Sequence, residues 1–126
     1  MIGQKIGSYQ IIEKLGSGTS ATAYLARDSR GKLAVAKRLR EPLAANQAIV
    51  ERFLAAAEAS ARIRIRKHVA TVLVRKTSAE GVLLLRQYVE GRPLSDYVRN
   101  GKLAELDANQ LAKDICDGLR AMACRD

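Results

Sequence analysis

A glycine-rich segment between two strand-like segments constrains the fold of this chain more than any other feature. Residues 15–23 read LGSGTSATA. The residues around this segment, 9–15 and 22–27, are rich in the aliphatic and aromatic side chains that favour half-buried strands. The sequence therefore predicts a strand, a glycine turn and a second strand.

The same glycines are suited to contact with phosphate oxygens. Glycine has no Cβ and tolerates positive φ, so its backbone can approach an anion and leave amides free to donate to it. After a tight turn at 28–31, residues 32–39 are predicted to form a third strand. Strand alternation places Val35 and Lys37 on one face and Ala36 on the other. A lysine thus arrives opposite the glycine turn.

In this order, these segments resemble the amino-terminal lobe of the eukaryotic-like serine/threonine protein kinases of bacteria. The family pattern is Gly-x-Gly-x-x-Gly-x-Val followed by Val-Ala-x-Lys, and this chain has Gly16, Gly18, Ala36 and Lys37. The resemblance covers the whole chain and includes a hinge-like segment at 87–91. A Rossmann dinucleotide site is disfavoured, because its glycines open a helix, whereas residues 21–27 are predicted to be a strand.

The resemblance implies an α+β fold. A five-stranded antiparallel sheet and one long helix, with the hinge, would occupy residues 1–91, and the first two helices of an incomplete carboxy-terminal lobe would occupy residues 92–126. Strands four and five are predicted over 72–76 and 82–87.

The resemblance also implies ATP as the cofactor, with Mg²⁺ expected only where the carboxy-terminal lobe is complete. Lys37 would hold phosphates under the glycine loop, three apolar residues would contact adenine, and the hinge backbone would bind the adenine edge. The implied nucleotide-binding residues are Leu15, Gly16, Ser17, Gly18, Thr19, Ser20, Ala21, Thr22, Ala23, Ala36, Lys37, Gln87 and Val89.

Four positions depart from the family pattern. Ala21 replaces the third glycine, and Ala23 replaces a valine, which weakens apolar contact by about 1–2 kcal/mol. Arg86 stands just before the hinge, where a large charged side chain either finds a carboxylate or obstructs the pocket. Pro93 removes a polar contact to ribose. The alternative is therefore a pseudokinase-like interaction module with a weak or empty nucleotide pocket.

Phosphoryl transfer in this family needs an aspartate base, an asparagine and the Asp-Phe-Gly aspartate, and none of these motifs occurs in the 126 residues. The final Cys-Arg-Asp, ending at Asp126, superficially resembles His-Arg-Asp but aligns with a helix end. We assign no catalytic residue and no metal ligand. The chain is expected to bind ATP without transferring phosphate by itself.

One helix is predicted over 41–62, with Pro42 near its start. Glu58 is the favoured partner of Lys37, although the family pattern places its glutamate at Ala56; alternatively, Glu58 and Glu51 are solvated surface charges. Apolar residues at helical spacing should face the sheet. They are Ile49, Val50, Phe53, Leu54, Ala57 and Ala61.

The formal net charge of +9 raises the alternative of nucleic-acid binding. The basic run at 62–68 contains no aromatic residue that could stack on bases. We expect a solvated loop there, in which a histidine such as His68 is more often a loop residue than a ligand or base.

Two helices are predicted after Pro93. The first reaches Asn100 and is stopped by Gly101, and the second begins with a capping box formed by Asp107 and Gln110. The second helix carries an apolar face that a partner, self-association or further chain would have to cover. That face contains Leu111, Ile115, Leu119 and Met122.

A cytoplasmic location is expected, because no apolar run is long enough to span a bilayer and the start lacks an apolar signal region. Cys116 and Cys124 lie eight positions apart, too far for a disulfide within one helix. Both are predicted to be reduced core residues.

Overall fold

The structure is a computed structural model that describes residues 1–63, 68–70, 72–78, 81–99, 101 and 105–123; side-chain burial is not described for 74–78, 105 and 106. The described residues form six strands and four helices. In chain order these are β1 (Lys5–Ile6), β2 (Tyr9–Ser17), β3 (Ala21–Arg27), β4 (Leu33–Leu39), α1 (Glu41–Ala44), α2 (Gln47–Ala61), β5 (Val72–Ser78), β6 (Gly81–Gln87), α3 (Leu94–Arg99) and α4 (Glu105–Ala123).

The six strands form one sheet in the order β1-β2-β3-β4-β6-β5, and each neighbouring pair is antiparallel. The predicted antiparallel sheet is confirmed, and all five predicted strands are present. The extra strand, β1, pairs Lys5 with Gln10 and Ile6 with Tyr9. Two residues are too short a run to show strand alternation, so β1 could not be predicted from the sequence pattern.

A hydrophobic core that contains several alanines lies on one face of the sheet. Ala26, Ala34 and Ala36 are fully buried there, and their small side chains leave room for larger ones from β1, β2 and β6. This alanine core comprises Ile6, Tyr9, Ile11, Ala26, Ala34, Ala36, Leu83 and Leu85.

The opposite face of the sheet carries a second core, which α2 completes. Leu39, Val50 and Val82 are buried together, and further apolar residues of α1 and α2 pack against them. Val50 and Ala57 are the buried residues of α2. The predicted apolar stripe therefore does face the sheet.

The predicted single helix over 41–62 is wrong in its continuity, because α1 ends at Ala44 and α2 begins at Gln47. Asn46 lies between them with extended backbone, and its Oδ1 accepts hydrogen bonds from the amides of Ala48 at 3.0 Å and Ile49 at 3.3 Å. An asparagine that satisfies two free amides favours a new helix start over continuation.

The chain divides into two compact units. The first unit contains Met1–Arg62 and Thr71–Tyr88, and the second contains Ile63–Ala70 and Val89–Asp126. The sequence-based boundary at 91/92 lies three residues beyond the end of the first unit and did not anticipate that 63–70 groups with the helices. No helix in the described ranges is long and apolar enough to cross a membrane.

Two predictions for α4 are wrong. The helix begins at Glu105, so Asp107 lies inside it and does not cap it; the Gln110 side chain instead donates to Asp114 Oδ1 at 2.8 Å. Cys116 is free but exposed, so it is no core residue; Cys124 lies outside the described residues. Ile115, Leu119 and Met122 of the predicted apolar face are 47%, 59% and 45% exposed.

Candidate functional site

The pairing of three strands brings the glycine segment and the lysine into one row. Gly16 of β2 is the cross-strand partner of Ala23 in β3, and Ala23 is the partner of Lys37 in β4. Directly opposed residues in a sheet present their side chains on the same face. Lys37 therefore lies two strands from Gly16, on the face that also carries α2.

Carbonyl groups at the tip of the β2–β3 hairpin accept hydrogen bonds that stabilise its conformation. The Gly18 amide donates to the Ala21 carbonyl at 2.8 Å, the Arg40 amide donates to the Ser20 carbonyl at 2.9 Å, and Arg40 Nη1 donates to the Gly18 carbonyl at 3.4 Å. The amides of Thr19 and Ser20 donate no hydrogen bond to any described residue. Two exposed amides at the tip are thus available to an acceptor from solution.

Glycine is not required by the fold at either position of the Gly-x-Gly pair. Neither Gly16 nor Gly18 has a positive φ. A Cβ on Gly16 would meet no atom within 4 Å, and one on Gly18 would meet only the Ala21 carbonyl at an ordinary 3.7 Å. At Gly31, by contrast, φ is +84° and the turn itself favours glycine.

Lys37 shares its face with a second cation, Arg86. Arg86 is the cross-strand partner of Val35, two residues before Lys37 on β4. Burial, and secondly the charge of Arg86, lower the pKa of Lys37 from its usual 10.5. The Nε atom of Arg86 is buried and has no hydrogen-bond partner among the described residues. An anion bound beside Lys37 would offset this unfavourable clustering of positive charge.

Ala36 does not lie on the face of Lys37, contrary to its predicted contact with adenine. It pairs with Tyr24 and Leu85 and is fully buried in the alanine core. Side chains alternate along a strand, so residues 36 and 37 face opposite sides of the sheet. Val35 and Leu39 are the nearest apolar residues of β4 on the lysine's own face, and the same alternation placed Val35 there from the sequence.

The ion pair expected between Glu58 and Lys37 is not seen. Glu58 forms a salt bridge of 3.1 Å with Arg62, one turn further along. Glu51 accepts a hydrogen bond from Gln47 at 3.1 Å. In the part of the chain that the structure describes, no ion pair joins Lys37 to a carboxylate.

The remaining predicted site residues occupy several environments. Leu15 lies at an irregularity in the β2–β3 pairing and is largely exposed. The Ser17 and Thr22 hydroxyls are 3.5 Å apart. Thr22 is the cross-strand partner of Arg38, and this pair lies on the face of the sheet opposite Lys37. Gln87 is exposed at the end of β6, and Val89 is an exposed residue of the second unit.

The glycine hairpin, the lysine-bearing strand beside it and the helix packed on the same face define the fold of a protein-kinase amino-terminal lobe, followed in sequence by helices of the carboxy-terminal lobe. The Mycobacterium tuberculosis PknI kinase domain has the same fold. One of its structures matches with a TM-score of 0.80 at 18% identity, covering 97% of this chain and 50% of that chain.

A second PknI kinase-domain structure gives a TM-score of 0.76 at 19% identity, again covering 97% of this chain and 50% of that one. The chain thus spans about half the length of the solved kinase domains it matches. No protein-family model matches the sequence. The likeness therefore establishes a fold.

Proposed function

We propose that this chain is the ATP-binding portion of a serine/threonine protein-kinase fold and that it does not transfer phosphate by itself. The row formed by Gly16, Ala23 and Lys37 carries this proposal. It combines a cation with a hairpin whose glycines the fold does not need. The triphosphate would lie under residues 16–23, where the free amides of Thr19 and Ser20 donate to phosphate oxygens.

Each part of the nucleotide has a proposed partner. Lys37 neutralises phosphate charge, and Leu15, Ala23 and Val35 supply apolar contact to adenine. As in the family that the sequence resembles, backbone groups of Gln87 and Val89 would bind the adenine edge. No residue of this chain is proposed to hold Mg²⁺, because the family's metal-binding motifs do not occur in its 126 residues.

Ligand-dependent stability tests nucleotide binding directly. A ligand at about 100 times its Kd stabilises the folded state by about 2.7 kcal/mol, so ATP should raise the urea midpoint of the full chain. Lys37→Met should abolish most of this effect, whereas Lys32→Met, which alters an exposed lysine in the β3–β4 turn, should retain it. An unchanged midpoint at millimolar ATP would contradict the proposal.

Arg86 favours a second candidate, an interaction module with an obstructed pocket. Its partly buried side chain lies on the nucleotide-facing side of β6, next to the row of Lys37. Arg86→Thr separates the two candidates, since a smaller side chain would open the pocket and leave Lys37 in place. Binding of ATP only after this substitution would favour the interaction module; binding by both proteins would favour the nucleotide-binding lobe.

The absence of transfer is tested with labelled ATP, Mg²⁺ and a generic basic protein substrate. We expect no transfer above the level of a Lys37→Ala control. Transfer that Lys37→Ala removes would show that this chain is catalytically competent by itself.

A further inference from the structure

We infer that His68, Asp114 and Asp117 form a binding site for a divalent cation of the Zn²⁺ type in the second unit. Each side chain offers one ligand atom, and these atoms all lie within 4.8 Å of one another. His68 Nε2 is 3.5 Å from Asp114 Oδ1. This site shares no residue with the proposed nucleotide site.

The fold brings these donors together from two separate segments. Asp114 and Asp117 are three residues apart on α4, so they project from neighbouring positions of one helix side. His68 lies just after the first unit's α2, in the segment grouped with the helices. A Cβ at Gly118 would lie 3.1 Å from the His68 carbonyl oxygen. Glycine at 118 therefore allows this segment to lie against α4 at the level of the two aspartates.

The donor set suits a borderline metal ion. Zn²⁺ accepts imidazole nitrogen at about 2.0–2.1 Å and carboxylate oxygen at about 2.0–2.2 Å. Donors around a tetrahedral ion are about 3.4 Å apart at those lengths. The His68–Asp114 separation of 3.5 Å is close to this value, and small side-chain rotations would bring the third donor in. A histidine donor disfavours Ca²⁺ and Mg²⁺, which prefer oxygen.

Two further contacts support a ligand between these side chains. Gln110 donates to Asp114 Oδ1 at 2.8 Å, the kind of hydrogen bond that orients a metal-binding carboxylate. Asp117 is half-buried, and no hydrogen bond or ion pair is recorded between its carboxylate and another described residue. Two carboxylates at this spacing repel one another, and a shared cation would turn that repulsion into attraction.

His68 makes the test unusually specific, because it is the chain's single histidine. Zn²⁺ should bind the full chain with one-to-one stoichiometry in calorimetry and shift the lone imidazole NMR signals, and a chelator should reverse the shift. Both cysteines are replaced by serine in every protein compared, so that no thiol supplies the signal. Co²⁺ in place of Zn²⁺ should give visible absorption from the bound ion.

Substitutions within the cluster are compared with one at an exposed aspartate elsewhere on α4. His68→Gln and Asp117→Asn should weaken Zn²⁺ binding by more than about 10-fold, whereas Asp107→Asn, an exposed aspartate of the same helix outside the cluster, should leave it unchanged. Circular dichroism checks that each variant is folded. Zn²⁺ affinity that survives His68→Gln, or no saturable binding below millimolar Zn²⁺, would overturn the assignment.

Discussion

At the scale of single residues, Gly16 and Gly18 stand where the chain itself has no need of glycine. A Cβ at either position would meet no atom closer than 3.7 Å, and neither backbone has the positive φ that favours glycine. A phosphate lying under the hairpin, as we propose, would make use of the bare backbone at these two positions. Substitution of these glycines should therefore affect stability and ATP binding differently.

We therefore predict that Gly16→Ala and Gly18→Ala keep or slightly raise stability while weakening ATP binding. Alanine restricts the unfolded chain and can add about 0.4–1 kcal/mol where its conformation is allowed. Urea unfolding without ligand measures stability, and nucleotide titration measures the affinity for ATP. Gly31→Ala is the control, since its positive φ predicts destabilisation without a specific loss of binding. Equal ATP affinity in all four proteins would contradict the role given to the pair.

Lys37 should make the stability of the fold depend on pH in the alkaline range. Burial and the Arg86 charge lower its pKa in the folded state, so the unfolded chain binds more protons between that lowered pKa and 10.5. Stability linked to this group therefore rises with pH across the window, and the penalty is fully present below it. Lys37→Met should be more stable than the native chain at pH 7, with the advantage shrinking towards pH 10.5.

Urea unfolding at several pH values measures this difference, and Lys32→Met serves as the exposed control. Arg86→Leu should also raise the pKa of Lys37, which a titration followed by NMR of the lysine side chain would detect. A stability difference between native and Lys37→Met proteins that stays constant from pH 7 to 10.5 would rule out the proposed linkage.

At the scale of elements, Asn46 decides where α2 begins. Its side chain accepts two amide hydrogen bonds at the helix start, and loss of such a cap costs about 0.5–2 kcal/mol. Asn46→Ala should lower the unfolding free energy by about 1 kcal/mol, whereas Asn46→Asp should retain most of it. Urea denaturation measures both. If Asn46→Ala unfolds at the native midpoint, the cap does not stabilise α2.

The strands and the face of α2 could be predicted from sequence because alternation and helical spacing are repeated over several residues. The break at Asn46 could not, since it depends on one side chain reaching two amides in a sequence otherwise suited to a continuous helix. The position of Lys37 opposite the glycine turn could be predicted from strand alternation. The family motif placed Ala36 at the nucleotide site, although the alternation of β4 puts it on the other face of the sheet from Lys37. The salt bridge of Glu58 with Arg62 competes locally with the predicted long-range pair, and helical geometry favours the closer partner.

At the scale of the whole molecule, burial is concentrated in the first unit. Buried side chains of this unit come from β1, β2, β3, β4, β6 and α2, whereas the buried apolar residues described in the second unit are Ile63 and Ala121. Stability is therefore expected to be uneven along the chain. The sheet should exchange its amide hydrogens last and α4 should exchange much earlier.

Hydrogen exchange followed by mass spectrometry tests this prediction peptide by peptide. Peptides from β3, β4 and β6 should stay protected longest, and peptides from α3 and α4 should exchange at least about 10-fold faster. If saturating Zn²⁺ binds as inferred, it should slow exchange around 114–117 without altering β4. Uniform protection over both units would contradict the uneven distribution of stability.

The order of the strands also has a consequence for synthesis on the ribosome. Neighbours β1 to β4 follow one another along the chain, but β4 pairs next with β6, and two helices and a strand separate them in sequence. While residues 40–80 are being translated, the hydrogen-bonding edge of β4 has no partner and is open to strands of other nascent chains. Slow translation over this interval would therefore favour aggregation, and a chaperone that shields the β4 edge would raise the yield of folded protein.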